Sequence, residues 1–151
     1  MVLITGLFLF SCSLNDDDDN GRTFSDEQKE LEAFILENNI SESAKQESGL
    51  YYIELIPGEG EVLSKGDKVK VKYKGMFLDG SVFDQNLDEE GAFEFPLGTG
   101  YVIPGWDEGV ALMKKGGKSR LIVPSYLAYG PAGGGSIPPF SALVFEVEVL
   151  K

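Results

Sequence analysis

The 151-residue chain contains no histidine and a single cysteine, Cys12. Without histidine, Ser-His and Cys-His nucleophilic pairs and His-ligated zinc sites are excluded. One cysteine also excludes an internal disulfide and a Cys-rich metal site. Basic residues are few: 13 Lys and Arg stand against 25 Asp and Glu, which gives a net charge of -12. A basic surface that binds nucleic acid is therefore not expected.

Long hydrophobic runs are also scarce, and the apolar residues 1–10 are too few for a membrane-spanning helix, which needs about 20. They predict a signal peptide over residues 1–11. Leu9-Phe10-Ser11-Cys12 resembles a bacterial lipobox, which implies a lipid on Cys12 that anchors the protein in the cell envelope of a Gram-negative bacterium. Because no Lys or Arg precedes the run, we expect the true start codon to lie upstream of Met1.

An acidic run, Asp16–Asp19, follows the cysteine. Like charges repel one another, so residues 12–24 are predicted to form a flexible, solvated tether. The run also resembles the surface-export signals of some Gram-negative lipoproteins. A further interpretation is a calcium-binding EF-hand loop, whose ligand spacing is matched by Asp16, Asp18, Asn20, Gly21 and Glu27. Calcium binding ranks last, because no entering helix precedes this loop.

Residues 25–48 predict a helix followed by a linker. Ser25 and Gln28 have the spacing of a capping box, in which each side chain bonds the backbone N–H of the other residue. We expect the helix to end near Asn38 and to pack on the chain's own domain. It would do so through an apolar stripe on one helical face, formed by Leu31, Phe34 and Ile35.

From residue 49 onward, the hydrophobic pattern changes from helical to alternating. Valines and a tyrosine alternate with lysines over residues 68–74, which is typical of a half-buried antiparallel strand. Asp79-Gly80 predicts a turn before the next strand. Other strands are predicted at 50–56, 82–84, 93–95, 121–123 and 143–149.

One short helix interrupts these strands. Gly105 is predicted to precede it and Gly116-Gly117 to end it, with Trp106, Val110 and Met113 on one face. Together the elements predict the α+β class: a curved antiparallel β-sheet (half-barrel) wrapped around one short α-helix, with an N-terminal helical extension.

Aromatic residues occur at both ends of the segment between this helix and the last strand. Trp106 lies at the start of the helix, while Tyr126 and Tyr129 precede a Gly-rich loop that Ile137-Pro138-Pro139 closes. These segments predict an aromatic-walled pocket with few ionisable groups. Such a pocket suits the binding and twisting of a neutral peptide segment better than acid–base or metal chemistry.

The stretch 49–151 resembles the FKBP-type peptidyl-prolyl cis-trans isomerases. The resemblance depends on an ordered set of motifs at the family's spacing, namely Val71-Lys72-Tyr73-Lys74-Gly75-Met76, Asp79-Gly80, Val82-Phe83-Asp84, Phe93-Glu94-Phe95-Pro96-Leu97-Gly98, Val102-Ile103-Pro104-Gly105-Trp106, Glu108-Gly109-Val110, Tyr126-Leu127-Ala128-Tyr129-Gly130, Ile137-Pro138-Pro139 and Leu143-Val144-Phe145-Glu146-Val147. It implies a curved antiparallel sheet around a short helix, in agreement with the fold predicted above.

Carried over position by position, the resemblance implies a role for ten residues. Trp106 corresponds to the pocket floor under the substrate proline, and the Ile103 N–H and the Tyr129 hydroxyl correspond to hydrogen-bond donors to the ligand. The implied catalytic set is Tyr73, Phe83, Asp84, Trp106, Tyr129 and Phe145. The implied substrate-binding set is Phe93, Val102, Ile103 and Ile137, the last of these in a loop that covers one side.

The resemblance implies isomerisation of X-Pro bonds in envelope or secreted proteins, with neither a cofactor nor a metal. The implied partners are proline-containing polypeptides, and FKBP-class macrolides are the implied inhibitors. A non-catalytic module that grips proline-containing segments, as a chaperone or scaffold, needs the same pocket and stays open as the alternative. Turnover of a prolyl peptide distinguishes the two.

Overall fold

The computed structural model describes residues 21–88 and 90–151, so the predicted signal peptide, Cys12 and Asp16–Asp19 lie outside the described residues. None of the helices in the described ranges has the length and apolar composition needed to cross a bilayer. The described part of the chain forms, in order, α1 (Phe24–Glu37), β1 (Tyr51–Ile56), β2 (Lys68–Phe77), β3 (Val82–Gln85), β4 (Phe93–Pro96), α2 (Pro104–Ala111), β5 (Lys118–Val123) and β6 (Leu143–Val149).

All six strands belong to one antiparallel sheet, in the order β1-β5-β6-β2-β3, with β4 also paired to β2. The long strand β2 pairs with β6 on one side, and on its other side with β4 and then with β3. Val71 of β2 lies opposite Phe93 of β4, and Gly75 lies opposite Asp84 of β3. One strand therefore sets the positions of two others, and the predicted fold class is confirmed.

The two helices cover opposite faces of this sheet. Leu121 and Phe145 belong to a core cluster that includes α2, whereas their neighbours Ile122 and Val144 belong to a second cluster that includes α1. Successive residues of a strand point to opposite faces, so one face, the α2 face, packs on α2 and the other, the α1 face, on α1. Within α1, the predicted stripe is confirmed: Leu31 and Ile35 are buried and Phe34 is partly buried.

Two glycines allow α2 to approach β5 closely. They are Gly105 and Gly109, one helical turn apart on the side that faces the sheet. A Cβ atom at Gly105 would lie 2.4 Å from Val123 Cγ1, and one at Gly109 would lie 2.7 Å from Leu121 Cδ1. Both distances are too short for van der Waals contact, so side chains here would push the helix away. The close approach helps to bury Trp106, which is 4% exposed.

The predicted cap of α1 is wrong. The capping box is formed by Thr23 and Asp26, not by Ser25 and Gln28, and the helix begins at Phe24. Thr23 Oγ1 accepts from the Asp26 N–H at 3.2 Å, and Asp26 Oδ2 accepts from the Thr23 N–H at 3.1 Å. A carboxylate is a stronger acceptor than an amide and is favoured at the positive end of a helix. The Thr23 hydroxyl also donates to Asp26 Oδ2 at 2.7 Å. This bond, together with the one from the Thr23 N–H, lowers the pKa of the Asp26 carboxyl.

Both predicted ends of α2 are also wrong. The helix begins at Pro104, so Gly105 lies within it, and it ends at Ala111, well before Gly116-Gly117. The N–H of Leu112 bonds Gly109 O at 3.2 Å, and that of Met113 bonds Val110 O at 3.0 Å, so the last turn tightens and stops. Met113 is still buried, as expected, but it follows the helix instead of lying within it.

Candidate active site

A cavity of about 400 Å³ lies on the α2 face. Its volume falls within the range of roughly 300–1,000 Å³ that is usual for small-ligand sites. Among the described residues, Asp84 is the one charged side chain in its lining, and the others are aromatic or aliphatic. The lining consists of Tyr73, Phe83, Asp84, Phe93, Tyr101, Val102, Ile103, Trp106, Tyr129 and Phe145.

Nine of the ten residues singled out from the sequence line this cavity, and their roles stay predictions. Ile137 is the exception, because its side chain is 7% exposed and packs in the larger core cluster. Its backbone forms a two-way bridge with Gly134, with N···O distances of 3.0 and 2.9 Å, which fixes it at the base of a tight turn. Tyr101 was not predicted from the sequence; it is 65% exposed and follows two glycines of positive φ, Gly98 and Gly100.

Trp106 is held by other aromatic rings. Its ring lies edge-on to Tyr73, with centroids 5.1 Å apart, and to Phe145 at 5.4 Å. Phe93 and Phe95 lie at 6.1 and 5.8 Å. Edge-to-face contacts of this kind stabilise by about 0.5–1.5 kcal/mol beyond the buried area. The Trp106 Nε1–H has no acceptor among the residues that the structure describes, so packing orients the indole.

Asp84 is fixed by a neighbouring phenol. The Tyr73 hydroxyl donates to Asp84 Oδ2 at 2.7 Å. The backbone of Tyr73 is fixed in turn by Asn86, whose Oδ1 accepts from the Tyr73 N–H at 2.7 Å and whose Nδ2 donates to Val71 O at 3.1 Å. Asn86 is 5% exposed and continues the strand pairing where β3 ends. Nothing in the sequence pattern had indicated this residue.

Gly75 gives the rings of the pocket wall their space. A Cβ atom at this position would lie 2.7 Å from Phe83 Cζ and 3.0 Å from Phe145 Cε1. Without it, the two rings meet edge-on over β2, with centroids 5.7 Å apart. A side chain at Gly75 would therefore displace two residues of the pocket lining at once.

The segment that carries Val102 and Ile103 is tied to α2 by Asp107. Its two carboxylate oxygens accept from the N–H groups of Gly98 and Gly100, at 2.8 and 2.9 Å. Ile103 caps the helix, and its carbonyl oxygen accepts from the Trp106 N–H at 2.9 Å. The turn, the segment 102–103 and Trp106 are thus positioned as one unit.

A larger cavity, about 660 Å³, lies between α1 and the turn after β2. Its lining includes the charged residues Arg22, Glu30, Glu37 and Asp79, and it contains none of the predicted site residues. The smaller cavity is the better candidate for the active site because aromatic side chains from four strands and one helix converge there.

No group of three or more metal-binding side chains occurs within residues 21–88 and 90–151. Glu27, the last ligand of the calcium interpretation, is fully buried. Its two carboxylate oxygens accept hydrogen bonds from the N–H and the hydroxyl of Ser125. Because both oxygens are engaged inside the fold, this arrangement argues against calcium binding through Glu27.

Comparison with known proteins gives consistent matches. A family model described as FKBP-type peptidyl-prolyl cis-trans isomerase matches residues 60–150. The chain is 45% identical over 120 residues to the FKBP-type 22 kDa peptidyl-prolyl cis-trans isomerase of Escherichia coli (strain K12), covering 78% of this chain and 57% of that protein. It is 46% identical over 104 residues to the FK506-binding protein of Neisseria meningitidis serogroup B, covering 68% and 95%.

Among solved structures, the crystal structure of FkpA from Escherichia coli matches with a TM-score of 0.73 and 41% sequence identity. The match covers 84% of this chain and 59% of that chain. The chain therefore spans less than two thirds of the length of both Escherichia coli proteins. These bacterial relatives come from Gram-negative species.

Proposed function

The chain belongs to the FKBP-type peptidyl-prolyl cis-trans isomerase family, and from this premise we propose that it catalyses cis–trans isomerisation of peptide bonds that precede proline. Its substrates are proline-containing segments of envelope or secreted proteins. The observation that supports this most directly is the cavity in which Trp106, flanked by four aromatic rings, lies beside a single carboxylate, Asp84.

Because such a cavity is less polar than water, it can lower the barrier to rotation about the peptide bond that precedes proline. The barrier is about 18–20 kcal/mol, because amide resonance is lost as the bond twists. A twisted amide has less charge separation than a planar one, so transfer from water into an apolar cavity penalises it less than the ground state. Neither proton transfer nor a covalent intermediate is needed.

The lining residues supply orientation. The proline ring lies against Trp106, while the Tyr129 hydroxyl and the Ile103 N–H donate hydrogen bonds to backbone carbonyl oxygens of the substrate. Holding the chain on the two sides of the prolyl bond confines rotation to that bond. Asp84, oriented by the Tyr73 hydroxyl, keeps its negative charge at a fixed place on the wall.

Exchange of a proline peptide, followed by NMR, tests this proposal. The protein should accelerate exchange, and an FKBP-class macrolide should inhibit it. Trp106→Leu should lower kcat/KM by roughly tenfold or more, which corresponds to at least about 1.4 kcal/mol of lost transition-state stabilisation. Leu36→Ala is a matched control, because Leu36 lies on α1 and is 77% exposed.

Two outcomes would contradict the enzyme proposal. A wild-type exchange rate equal to that in buffer, without peptide binding, would remove both the enzyme and the binding module. Peptide binding without acceleration would instead identify the non-catalytic module, which uses the same cavity.

We propose in addition that a lipid on Cys12 anchors the protein in the envelope, with the acidic segment after it as the tether. The predicted tether ran to residue 24, but Thr23 caps α1, Phe24 begins it and the Arg22 side chain is hydrogen-bonded to the folded domain, so these residues are not part of it. The Leu9-Phe10-Ser11-Cys12 pattern and the bacterial relatives support this proposal. Mass spectrometry of the envelope fraction should find a diacyl or triacyl mass on a peptide that begins at Cys12. A Cys12→Ser variant should lose both the lipid and the envelope location, and an unmodified cysteine in the wild type would contradict the anchor.

A further inference from the structure

The segment 125–140, here named the pocket loop, carries Tyr129 and has little regular structure. It contains two short 3₁₀ helices, Ser125–Leu127 and Gly130–Ala132, and a single bridge between Gly134 and Ile137. Tyr129 is 43% exposed. A hydroxyl that must meet a substrate carbonyl oxygen needs a fixed backbone beneath it, and within this loop few backbone hydrogen bonds provide one.

The start of the pocket loop is fixed by Glu27 of α1. The Ser125 N–H donates to Glu27 Oε1 at 2.6 Å, and the Ser125 hydroxyl donates to Glu27 Oε2 at 2.5 Å. Glu27 is 0% exposed. A buried carboxyl group is unfavourable unless its oxygens are hydrogen-bonded. Both oxygens of Glu27 are thus occupied by Ser125, which holds this residue of the pocket loop against α1.

The end of the pocket loop is fixed by Arg22, which directly precedes the cap of α1. Arg22 Nε donates to Phe140 O at 2.9 Å, and its guanidinium also pairs with Glu30. The Phe140 N–H donates to Gly130 O at 3.0 Å, which closes the loop immediately after Tyr129. Phe140 has a φ of 49°, a left-handed conformation that is unfavourable for a bulky residue and is held here by bonds at both its N–H and its carbonyl.

A third contact lies between these two. The Tyr126 hydroxyl donates to Ser48 O at 2.9 Å, and the Tyr126 ring packs against that of Phe24 with centroids 6.2 Å apart. All three contacts therefore come from residues 22–48. These residues precede the part of the chain that matches the family model, which begins at residue 60.

We propose that α1 and its flanks position the active site from the far face of the sheet. Glu27 and Arg22 are positioning residues that fix the two ends of the pocket loop and so hold the Tyr129 hydroxyl where the substrate binds. Neither residue lines the cavity, so each acts through Tyr129. The inference rests on the proposed isomerase activity for its functional part, while the fixing of the loop can be measured without it.

A double-mutant cycle in the full chain tests the link to Tyr129. Glu27→Ala should lower kcat/KM by about two- to tenfold, the size of one lost hydrogen bond. The loss should appear in KM, because the Tyr129 bond is present in both the ground state and the transition state. In a Tyr129→Phe background, Glu27→Ala should have no further effect, because the group that it positions is already gone.

Two control variants accompany the cycle. Glu32→Ala, an exposed carboxylate on the same helix, should retain the wild-type kcat/KM. Glu27→Gln should recover most of the activity, because the Ser125 hydroxyl can accept a hydrogen bond from an amide as well as donate one. An equal loss of kcat/KM from Glu27→Ala in both backgrounds would overturn the proposal, since Glu27 would then act independently of Tyr129.

Amide hydrogen exchange provides a second measurement that needs no turnover. Glu27→Ala and Arg22→Ala should each speed exchange within residues 126–140 more than in β5 and β6. If Glu27→Ala does not fold, Ser125→Ala, which removes one of the two bonds, takes its place. Unchanged exchange in the loop would overturn the proposal. A wild-type protein that fails to accelerate prolyl cis–trans exchange would overturn the isomerase activity instead. The amide hydrogen-exchange data would still decide whether the pocket loop is fixed.

Discussion

The two faces of the sheet use apolar side chains for different ends. On the α2 face, aromatic rings meet edge-on around Trp106 and enclose a cavity. On the α1 face, Leu31 and Ile35 of the helix pack with Ile122 and Val144 of the strands. Asp84 is the one charged side chain in the described lining of the cavity on the α2 face, whereas the larger cavity beside α1 is lined in part by Arg22, Glu30, Glu37 and Asp79. One sheet thus carries the candidate site on one face and, on the other, the helix that we propose positions it.

The largest expected effect separates stability from activity. Ile35→Ala should lower the free energy of unfolding by about 2–4 kcal/mol, because it leaves a void in the α1 face cluster. The kcat/KM of the folded protein should stay within about twofold of wild type, because the Glu27–Ser125 bonds lie two helical turns away. Urea unfolding and peptide exchange measure the two quantities. A large fall in kcat/KM with unchanged stability would break the distinction between the faces.

A smaller effect is expected from the polar group in the cavity wall. Asp84→Leu should lower kcat/KM by roughly tenfold, because it removes both the charge and the acceptor of the Tyr73 hydroxyl, a bond to an ionised group worth about 1.5–3 kcal/mol. Asp84→Asn is the matched control, since it keeps an acceptor, and its loss should be smaller. Equal losses for the two would mean that the negative charge, and not the bond to Tyr73, is what the site requires.

The smallest expected effect concerns an ion pair on the same side of the sheet as α1. Arg120 donates to Glu146 at 2.7 Å, and this bond lowers the pKa of the Glu146 carboxyl below its ordinary value of 4.5. Glu146→Gln should therefore reduce stability by about 0.2–1 kcal/mol near neutral pH.

The sign of the pH dependence follows from the lowered pKa. A carboxyl whose pKa is lowered by folding stabilises the protein above the unfolded value, and it loses that contribution as the pH falls through the folded one. Wild type and Glu146→Gln should thus converge in unfolding free energy below that pKa, with unchanged kcat/KM at neutral pH. A difference that persists in strong acid would contradict the ionic origin of the effect.

Patterns within short windows of sequence predicted the fold well. The alternation of Val69, Val71 and Tyr73 with lysines, and the helical stripe at Leu31 and Ile35, are each set by local periodicity. The cap of α1 was misassigned because two caps compete within three residues, and the carboxylate of Asp26 decides between them.

Contacts between distant residues were beyond the reach of such patterns. Glu27 and Ser125 are 98 positions apart, and Arg22 and Phe140 are 118 apart. No periodicity links residues across such separations. The sequence therefore suggested only one role for Glu27, as a ligand of a calcium-binding loop, and gave no sign that its carboxyl group is buried. The cavity residues were identified by resemblance to a family, and Asn86 lay outside the motifs that carry that resemblance.

The independent pairing of β3 and β4 with β2 has a consequence for how the site can vary. Both β3 and β4 pair with β2 through their own hydrogen bonds. The connection between Asn86 and Phe93 is therefore not needed to keep the two strands in register. Lengthening this connection is inexpensive, since each doubling of a flexible loop costs only about 0.6 kcal/mol. Grafted sequences here would follow Asp84 and precede Phe93, two residues of the cavity lining, which makes the connection a natural point for redesigning selectivity.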